Sequence, residues 1–452
     1  FFHAEAGIRD PLWSRGLGDV YKRQNSSRSK PRFVAIDILN EILGNKKSFH
    51  ELKALGALKN LKPNEKAFVQ RLVMDTLRNL DRCDRFLGKY LKKDPKLKVK
   101  NILRLGLTEL VTGGASHAIV NEAVNYAASN KPTRPMKGLV NAVLRKLSSY
   151  EIEVWNEDEN IFKLPSWLRV PLINAYGKNT VIEIEKIQSL APPIDITLKD
   201  PSKIDYWAKK LDGRIVFHES IRLESGKQIS ALPGFKEGDW WVQDIAASIP
   251  IRLLGNLSGK RVLDLCAAPG AKTLQLASLG ANVTSVDISA SRLELLSENL
   301  ERCGLQADII QCDAFNIIDK FDIVLLDAPC SATGTIRRHP DLVYCKDGSD
   351  FSELIEIQTK LLDHASSIVE DDGLIIYVTC SLLPDEGECQ IEKFLDRNDL
   401  FEIKKPNRID KIIPEPWVLS SGDIRITPAS LDEKEGLDGF YICYLQKKPN
   451  KP

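Results

Sequence analysis

Two cysteines occupy matched settings in this sequence. Cys330 lies in "DAPCSATG" (residues 327–334) and Cys380 in "VTCS" (378–381), and each directly follows a run of strand-like residues. A thiolate is a strong nucleophile and a thiol can also exchange a proton, so a matched pair could divide two tasks within one reaction. The bland reading of a cysteine is a small hydrophobic residue in a core. That reading is applied to Cys83, Cys303, Cys312, Cys345, Cys389 and Cys443.

A third segment, "VLDLCAAPGAKT", reads as strand, small-residue loop and helix. Along Cys266, Ala267, Ala268, Pro269, Gly270 and Ala271 the backbone amides can approach a ligand closely, and the helix that follows presents free N–H groups. The Cys266 thiol itself is read as packing. The next strand ends in Asp287, where a carboxylate can accept hydrogen bonds from ribose hydroxyls. Asp313, in "QCDAF", ends the third strand and can reach an adenine edge. The spacing alone admits NAD or S-adenosylmethionine. The strict GxGxxG pattern is absent and no hydride-transfer acid stands out, which disfavours NAD. For Asp287 taken singly, a helix N-cap is the competing reading. Four strand-end acids together, Asp264, Asp287, Asp313 and Asp327, favour a ligand.

The elements that must position these residues alternate from Gly259 onward. "RVLDLC", "NVTSVD", "ADIIQCD", "FDIVLLD", "GLIIYVTC" and "GFYICYLQ" read as strands, with amphipathic helices between most of them. Buried β-branched strands alternating with helices predict a mostly parallel, doubly wound Rossmann-like sheet over 246–448, whose ligands sit beyond the carboxyl ends of the strands. Residues 30–150 read as an all-α bundle: "RFVAIDILNEIL" places Val34, Ile38 and Leu39 on one face, with Ile42 following. Residues 151–245 read as a small α+β connecting module. In it "LPSWLRVPLINAYG" is expected to form a short helix pair and "PPIDITLK" a strand. Residues 1–24 show neither periodicity and resemble translated adapter sequence; they are expected to be non-native and disordered.

Composition bounds the function. Hydrophobic content of 43% and charged content of 28% are those of a soluble globular protein. No apolar stretch approaches the length of a membrane span. The nine cysteines include no CxxC pair, which argues for reduced thiols in the cytoplasm and against a zinc ribbon or disulfide scaffold. The net charge of +1 hides an asymmetry. Residues 30–150 carry 24 Lys and Arg against 10 Asp and Glu, a net of +14, while 151–452 carry −15. A basic helical module joined to an acidic body suggests a polyanion partner such as RNA.

"CAAPGAKT", "VDIS", "CDAF", "DAPCSATG" and "VTCS", taken in order, resemble the consecutive motifs of the RNA cytosine-5 methyltransferases of the Sun superfamily. "HAIVNEAVN" and "GLVNAVLRK" are similar to the NusB-like domain of its Fmu/Sun branch, which acts on small-subunit ribosomal RNA. "VQDIAAS" and "GLDGFYICYL" also fit, and the similarity spans roughly residues 30–448. One departure is Ala271, where the family usually has a second glycine; alanine is tolerated there if the backbone is already helical.

The resemblance implies methylation of C5 of a cytosine in 16S rRNA with S-adenosylmethionine as donor. It implies Cys380 as the nucleophile that adds to C6, and Cys330 as the acid–base group that assists release. Asp327 is expected to contact the base. Lys272 is expected to lower a thiol pKa or touch the cytosine edge, and Arg337 and Arg338, in "TIRRHPD", to hold an RNA phosphate. The cofactor is expected on Cys266 to Lys272, Asp287, Asp313 and Asp327. The partner is 16S rRNA, free or in an early assembly intermediate; a monomer with no membrane and no metal is expected. Two alternatives stay open: a tRNA or large-subunit rRNA cytosine-5 methyltransferase, and an RNA-binding adaptor with a vestigial methyltransferase part. An amino-group methyltransferase would prefer (D/N)PP(Y/F) where this chain has "DAPC".

Overall fold

The structure is a computed structural model that describes residues 30–148, 155, 162–217, 219–224, 226–431 and 436–449. The expected disorder of residues 1–24 lies outside the described residues. The chain divides into two compact units, with the division between residues 159 and 160.

The first unit is helical: α1 Pro31–Asn45, α2 Phe49–Ala54, α3 Pro63–Arg78, α4 Leu80–Gly88, α5 Leu97–Val111, α6 Ser116–Ser129 and α7 Lys137–Ser148. Pro31 and Pro63 sit in the first turns of α1 and α3, where a missing N–H costs no helical bond. Ile38, Leu39 and Ile42 of α1 are buried as expected. Ala35 and Ile36 join them, while Val34 is only half-buried. Arg32 donates to both oxygens of Glu109 on α5, at 2.6 and 2.5 Å, which ties the first helix to the central one.

The second unit opens with α8 Ser166–Tyr176 and α9 Lys178–Gln188. The expected helix pair within 164–177 is instead one helix that runs through Pro171. Leu168 and Leu172, one turn apart and both fully buried, hold it to the core on either side of the proline. A small antiparallel sheet of order β2-β3-β1-β4 follows, from β1 Ile194–Leu198, β2 Arg214–Val216, β3 Ser220–Leu223 and β4 Trp240–Val242, with α10 Ile204–Leu211 packed beside β2 and β3.

The main sheet is built from β5 Arg261–Leu265, β6 Asn282–Asp287, β7 Asp308–Gln311, β8 Phe321–Asp327, β9 Val369–Thr379, β10 Phe401–Ile403, β11 Ile424–Ile426 and β12 Phe440–Lys447. Its order is β10-β12-β9-β8-β5-β6-β7, with β11 also on β12. β5 to β9 are parallel neighbours; β12, β10 and β11 add an antiparallel flank. Helices α11 Ile245–Arg252, α12 Ala271–Ser278, α13 Ala290–Cys303, α14 Leu342–Cys345, α15 Phe351–Ile368 and α16 Glu388–Arg397 accompany the strands. Both faces are buried, as a parallel sheet requires. Ile376 and Val378 of β9 belong to one core, and Ile375 and Tyr377 to the other. The fold is thus a helical unit followed by a small antiparallel sheet and a Rossmann-like, mostly parallel sheet with an antiparallel flank.

Candidate active site

The register of β8 on β9 pairs Asp327 with Val378. Cys330 and Cys380 therefore leave neighbouring strands at the same carboxyl-terminal edge. Their sulfurs are 3.4 Å apart, and both residues are partly exposed. Contact with Cys330, then burial, then the nearby Asp327 carboxylate hold the Cys380 thiol well above its ordinary value. Lys272 pulls the other way and is outweighed, so the expected lowering of a thiol pKa by Lys272 does not prevail here.

Lys272 lies in the first turn of α12 and donates from Nζ to Asp327 Oδ2 at 2.7 Å. Its ammonium also sits 5.6 Å from the centroid of the Phe440 ring. Burial alone would lower this ammonium, but Asp327 and Asp264 outweigh it and hold it above its usual value.

The loop between β5 and α12 carries Cys266 to Gly270. Gly270 has φ 103°, and a Cβ there would stand 2.1 Å from Leu296 Cδ1 on α13, so only glycine fits. Ala271 is the first residue of α12, the helical position that the alanine departure required. Three carboxylates converge on the loop. Burial pushes the Cys266 thiol up to about 12, and Asp327, Asp287 and Asp264 add to it. Asp264 is fully buried; Thr273 Oγ1 donates to its Oδ2 at 2.6 Å, while its Oδ1 has no partner among the described residues. Burial raises Asp264 to about 7. Asp287 is no N-cap: its carboxylate accepts from Ala268 N at 3.2 Å and Ser289 N at 2.9 Å, pinning the loop to the end of β6. Asp313 lies exposed just beyond β7 and accepts from Phe315 N.

Arg337 is not where a phosphate contact needs it, and Arg338 is partly exposed. Arg337 is fully buried; its Nε donates to Asp438 Oδ1 at 2.6 Å and its Nη2 to Asp244 Oδ2 at 2.5 Å. Arg338 binds the same two carboxylates at 2.8 and 2.5 Å. Asp244 also accepts from Ala246 N and caps α11. Burial opposes its charge, but the two guanidiniums hold its carboxyl well below the usual range. This cluster fastens the segment after Cys330 to the strand-side residues around Gly439. A Cβ on Gly334 would stand 2.0 Å from the Gly439 carbonyl oxygen. "VQDIAAS" and "GLDGF" held the acids, but nothing in their spacing announced the pairing.

Sequence reasoning also missed Glu386. It is 1% exposed and lies between the two cysteine loops. A charged residue five positions after Ser381, in "SLLPDEGE", was its only signal. A cavity of about 1110 Å³ opens at the far end of the sheet, lined by Arg261, Asn282 and Asp308 at the starts of β5, β6 and β7. It lies away from the carboxyl ends where this topology binds ligands, so it is not assigned to the chemistry.

Among the described residues, no helix is long and apolar enough to cross a membrane. Residues 252–446 match the family described as 16S rRNA methyltransferase RsmB/F, and residues 29–149 match the NusB family. The chain is 33% identical over 415 residues to ribosomal RNA small subunit methyltransferase B of Erwinia tasmaniensis, covering 87% of this chain and 93% of the relative. Against the Escherichia coli protein of that name it is 34% identical over 410 residues, covering 85% and 91%. Among solved structures, PH0851 superposes with a TM-score of 0.70 at 20% identity over 92% of this chain and 99% of that one. NSun6 from Pyrococcus horikoshii, solved with SFG, gives 0.55 at 19% identity over 63% and 98%. These two likenesses establish the fold, and the relatives establish the lineage: the chain belongs to the RsmB/F family of ribosomal RNA small subunit methyltransferases, which use S-adenosylmethionine.

Proposed function

We propose that this protein methylates C5 of a cytosine in 16S rRNA through a covalent adduct on Cys380. The observation that carries the reading is the 3.4 Å contact between Cys330 and Cys380 at the shared edge of β8 and β9, beside the acid-lined loop. The loop suits a cationic donor. Asp264, Asp287 and Asp327 face it, whereas the pyrophosphate of a dinucleotide would be repelled there. Cys266 to Lys272, Asp287, Asp313 and Asp327 would hold the donor. When bound, S-adenosylmethionine supplies an electrophilic methyl group for C5.

C5 of cytosine is a poor nucleophile, and the chain's own residues correct this. The Cys380 thiol gives up its proton to water and its sulfur bonds to C6, while the C5–C6 π pair shifts toward C5. Asp327, oriented by Lys272, accepts from the exocyclic amine of the base, and the Lys272 ammonium beside it offsets the negative charge that develops on the ring. After transfer, Cys330 removes the C5 proton. The C5–H pair re-forms the C5–C6 double bond, and the Cys380 sulfur is expelled. The target base must leave its stack to reach this edge. The basic unit over residues 30–150 supplies phosphate contacts to RNA, and the protein acts as a cytoplasmic monomer.

The test is methyl transfer to 16S, 23S and tRNA transcripts, with the modified base mapped. A single 5-methylcytosine in 16S rRNA is expected. Modification confined to tRNA or 23S rRNA would overturn the substrate, and no transfer to any RNA would favour the adaptor reading.

A further inference from the structure

The residue after each reactive cysteine is a serine, and both serines are sealed from solvent: Ser331 and Ser381 are each 0% exposed. Both face the carboxylate of Glu386. Ser331 N donates to Glu386 Oε1 at 2.8 Å, and Gln358 Nε2, from α15, donates to the same oxygen at 3.0 Å. Ser331 Oγ and Ser381 Oγ each donate to Oε2 at 2.5 Å. Gln358 Nε2 also reaches the carbonyl of Pro329, the residue before Cys330, at 2.9 Å. Further ties run between the two loops. Gly334 N donates to the Cys380 carbonyl at 2.9 Å, and Leu382 N donates to Thr333 Oγ1 at 2.9 Å.

Among the described residues Glu386 has no ion-pair partner; four donors hold its charge. Burying a carboxylate without a cation is costly, so a neutral side chain of the same shape would be the cheaper way merely to fill this space. A carboxylate differs in being an acceptor on every lone pair, and its charge-assisted bonds are short and directional. It fixes the direction of both serine side chains, and with them the backbone of the adjoining cysteines.

We propose that Glu386 is the positioning residue for the thiol pair: one buried carboxylate sets the register of the Cys330 loop against the Cys380 loop and so holds the two sulfurs in contact. The proposal rests on the reading of Cys380 and Cys330 as the reacting pair. It assigns Glu386 no contact with RNA or donor.

The experiment uses the full chain and its Glu386→Gln and Glu386→Ala variants, with two readouts. The first needs no substrate. Diamide oxidises the two thiols to a disulfide: two S–H groups give up two protons and two electrons, one S–S bond forms, and the N=N group of diamide is reduced to the hydrazine. Peptide mapping follows the rate at which the Cys330–Cys380 disulfide appears. Glu386→Gln keeps shape but places an N–H donor among donors. It is expected to slow disulfide formation about tenfold and to lower kcat at least tenfold, with KM for RNA and affinity for S-adenosylmethionine within about twofold, because misplacement by an ångström is enough for such losses. Glu386→Ala is expected to exceed both effects where it folds; the glutamine variant carries the test where it does not. Disulfide formation and kcat both unchanged in Glu386→Gln would overturn the proposal. So would a loss of kcat that only tracks a fallen melting temperature and lost donor binding. Slowed disulfide formation in the variant, alongside a wild-type protein that methylates no RNA, would sustain the positioning role and remove the function instead.

Discussion

Replacing Asp264 by asparagine tests the electrostatics of the loop without changing its shape. In the folded protein burial raises this carboxyl from an ordinary 3.8 to about 7. Between those two values the folded state binds more protons at this site than the unfolded state does. Stability from this group is therefore lost as pH rises from about 4 to about 7, and levels off above. From pH 5 to pH 7 the two binding curves diverge enough to remove about 2 kcal/mol from the wild type. The amide introduced by Asp264→Asn cannot ionise, so the variant is expected to escape this loss. It can still accept from Thr273 Oγ1, and its N–H group takes the place of the unpartnered Oδ1, much as the protonated acid's O–H would. Urea unfolding of the methyltransferase unit at pH 5, 6, 7 and 8 in both proteins isolates the difference, because every other titrating group is common to both. The expected result is a variant-minus-wild-type stability that grows by about 2 kcal/mol between pH 5 and 7 and then stays flat. Parallel pH profiles would refute the reasoning and show that Asp264 ionises in the fold as it does in water.

Arg337→Ala is expected to cost about 3 kcal/mol, because it leaves Arg338 alone against the two buried carboxylates of Asp244 and Asp438, and to lower the melting temperature. The RNA affinity of the molecules that remain folded should keep its salt slope; a reduced slope would restore the phosphate reading. Gly270→Ala is expected to destabilise by more than about 1 kcal/mol and to weaken donor binding, from its φ of 103° and the contact with Leu296. Calorimetry and donor titration check both. Because the Cys380 thiol is held above its ordinary value, adduct formation in a single turnover should rise about tenfold per pH unit through pH 8.5. Lys272→Met should move that profile to still higher pH, and a plateau near neutrality would contradict it. RNA binding by the full chain should weaken steeply with salt, since the net +14 of residues 30–150 releases counterions from RNA.

What could be read from the chain alone followed from local pattern. Strand-ending residues such as Asp327 and Thr379 are visible because β-branched and aliphatic runs stop there, and a parallel order then brings Cys330 and Cys380 together. The helical unit was legible from its periodicity. Other features depend on partners distant in sequence. Arg337 looked like a surface phosphate ligand because its acids, Asp244 and Asp438, lie about a hundred residues away on either side. The strands β10 and β11 are three residues each and form as ladders on β12. Pro171 argued for a break that two buried leucines override. Glu386 carried a charge in a polar turn, and only the fold turns that carboxylate inward.

The central claim is that Cys380 bonds to the target base and Cys330 lets it go. Cys330→Ala and Cys380→Ala proteins incubated with 16S rRNA and S-adenosylmethionine, then run on a denaturing gel, test it most directly. A slow-migrating protein–RNA band with Cys330→Ala, absent with Cys380→Ala and mapped to Cys380, is the result expected. Methyl transfer that survives in Cys380→Ala, or a Cys330→Ala protein that leaves no denaturant-resistant band, would contradict it.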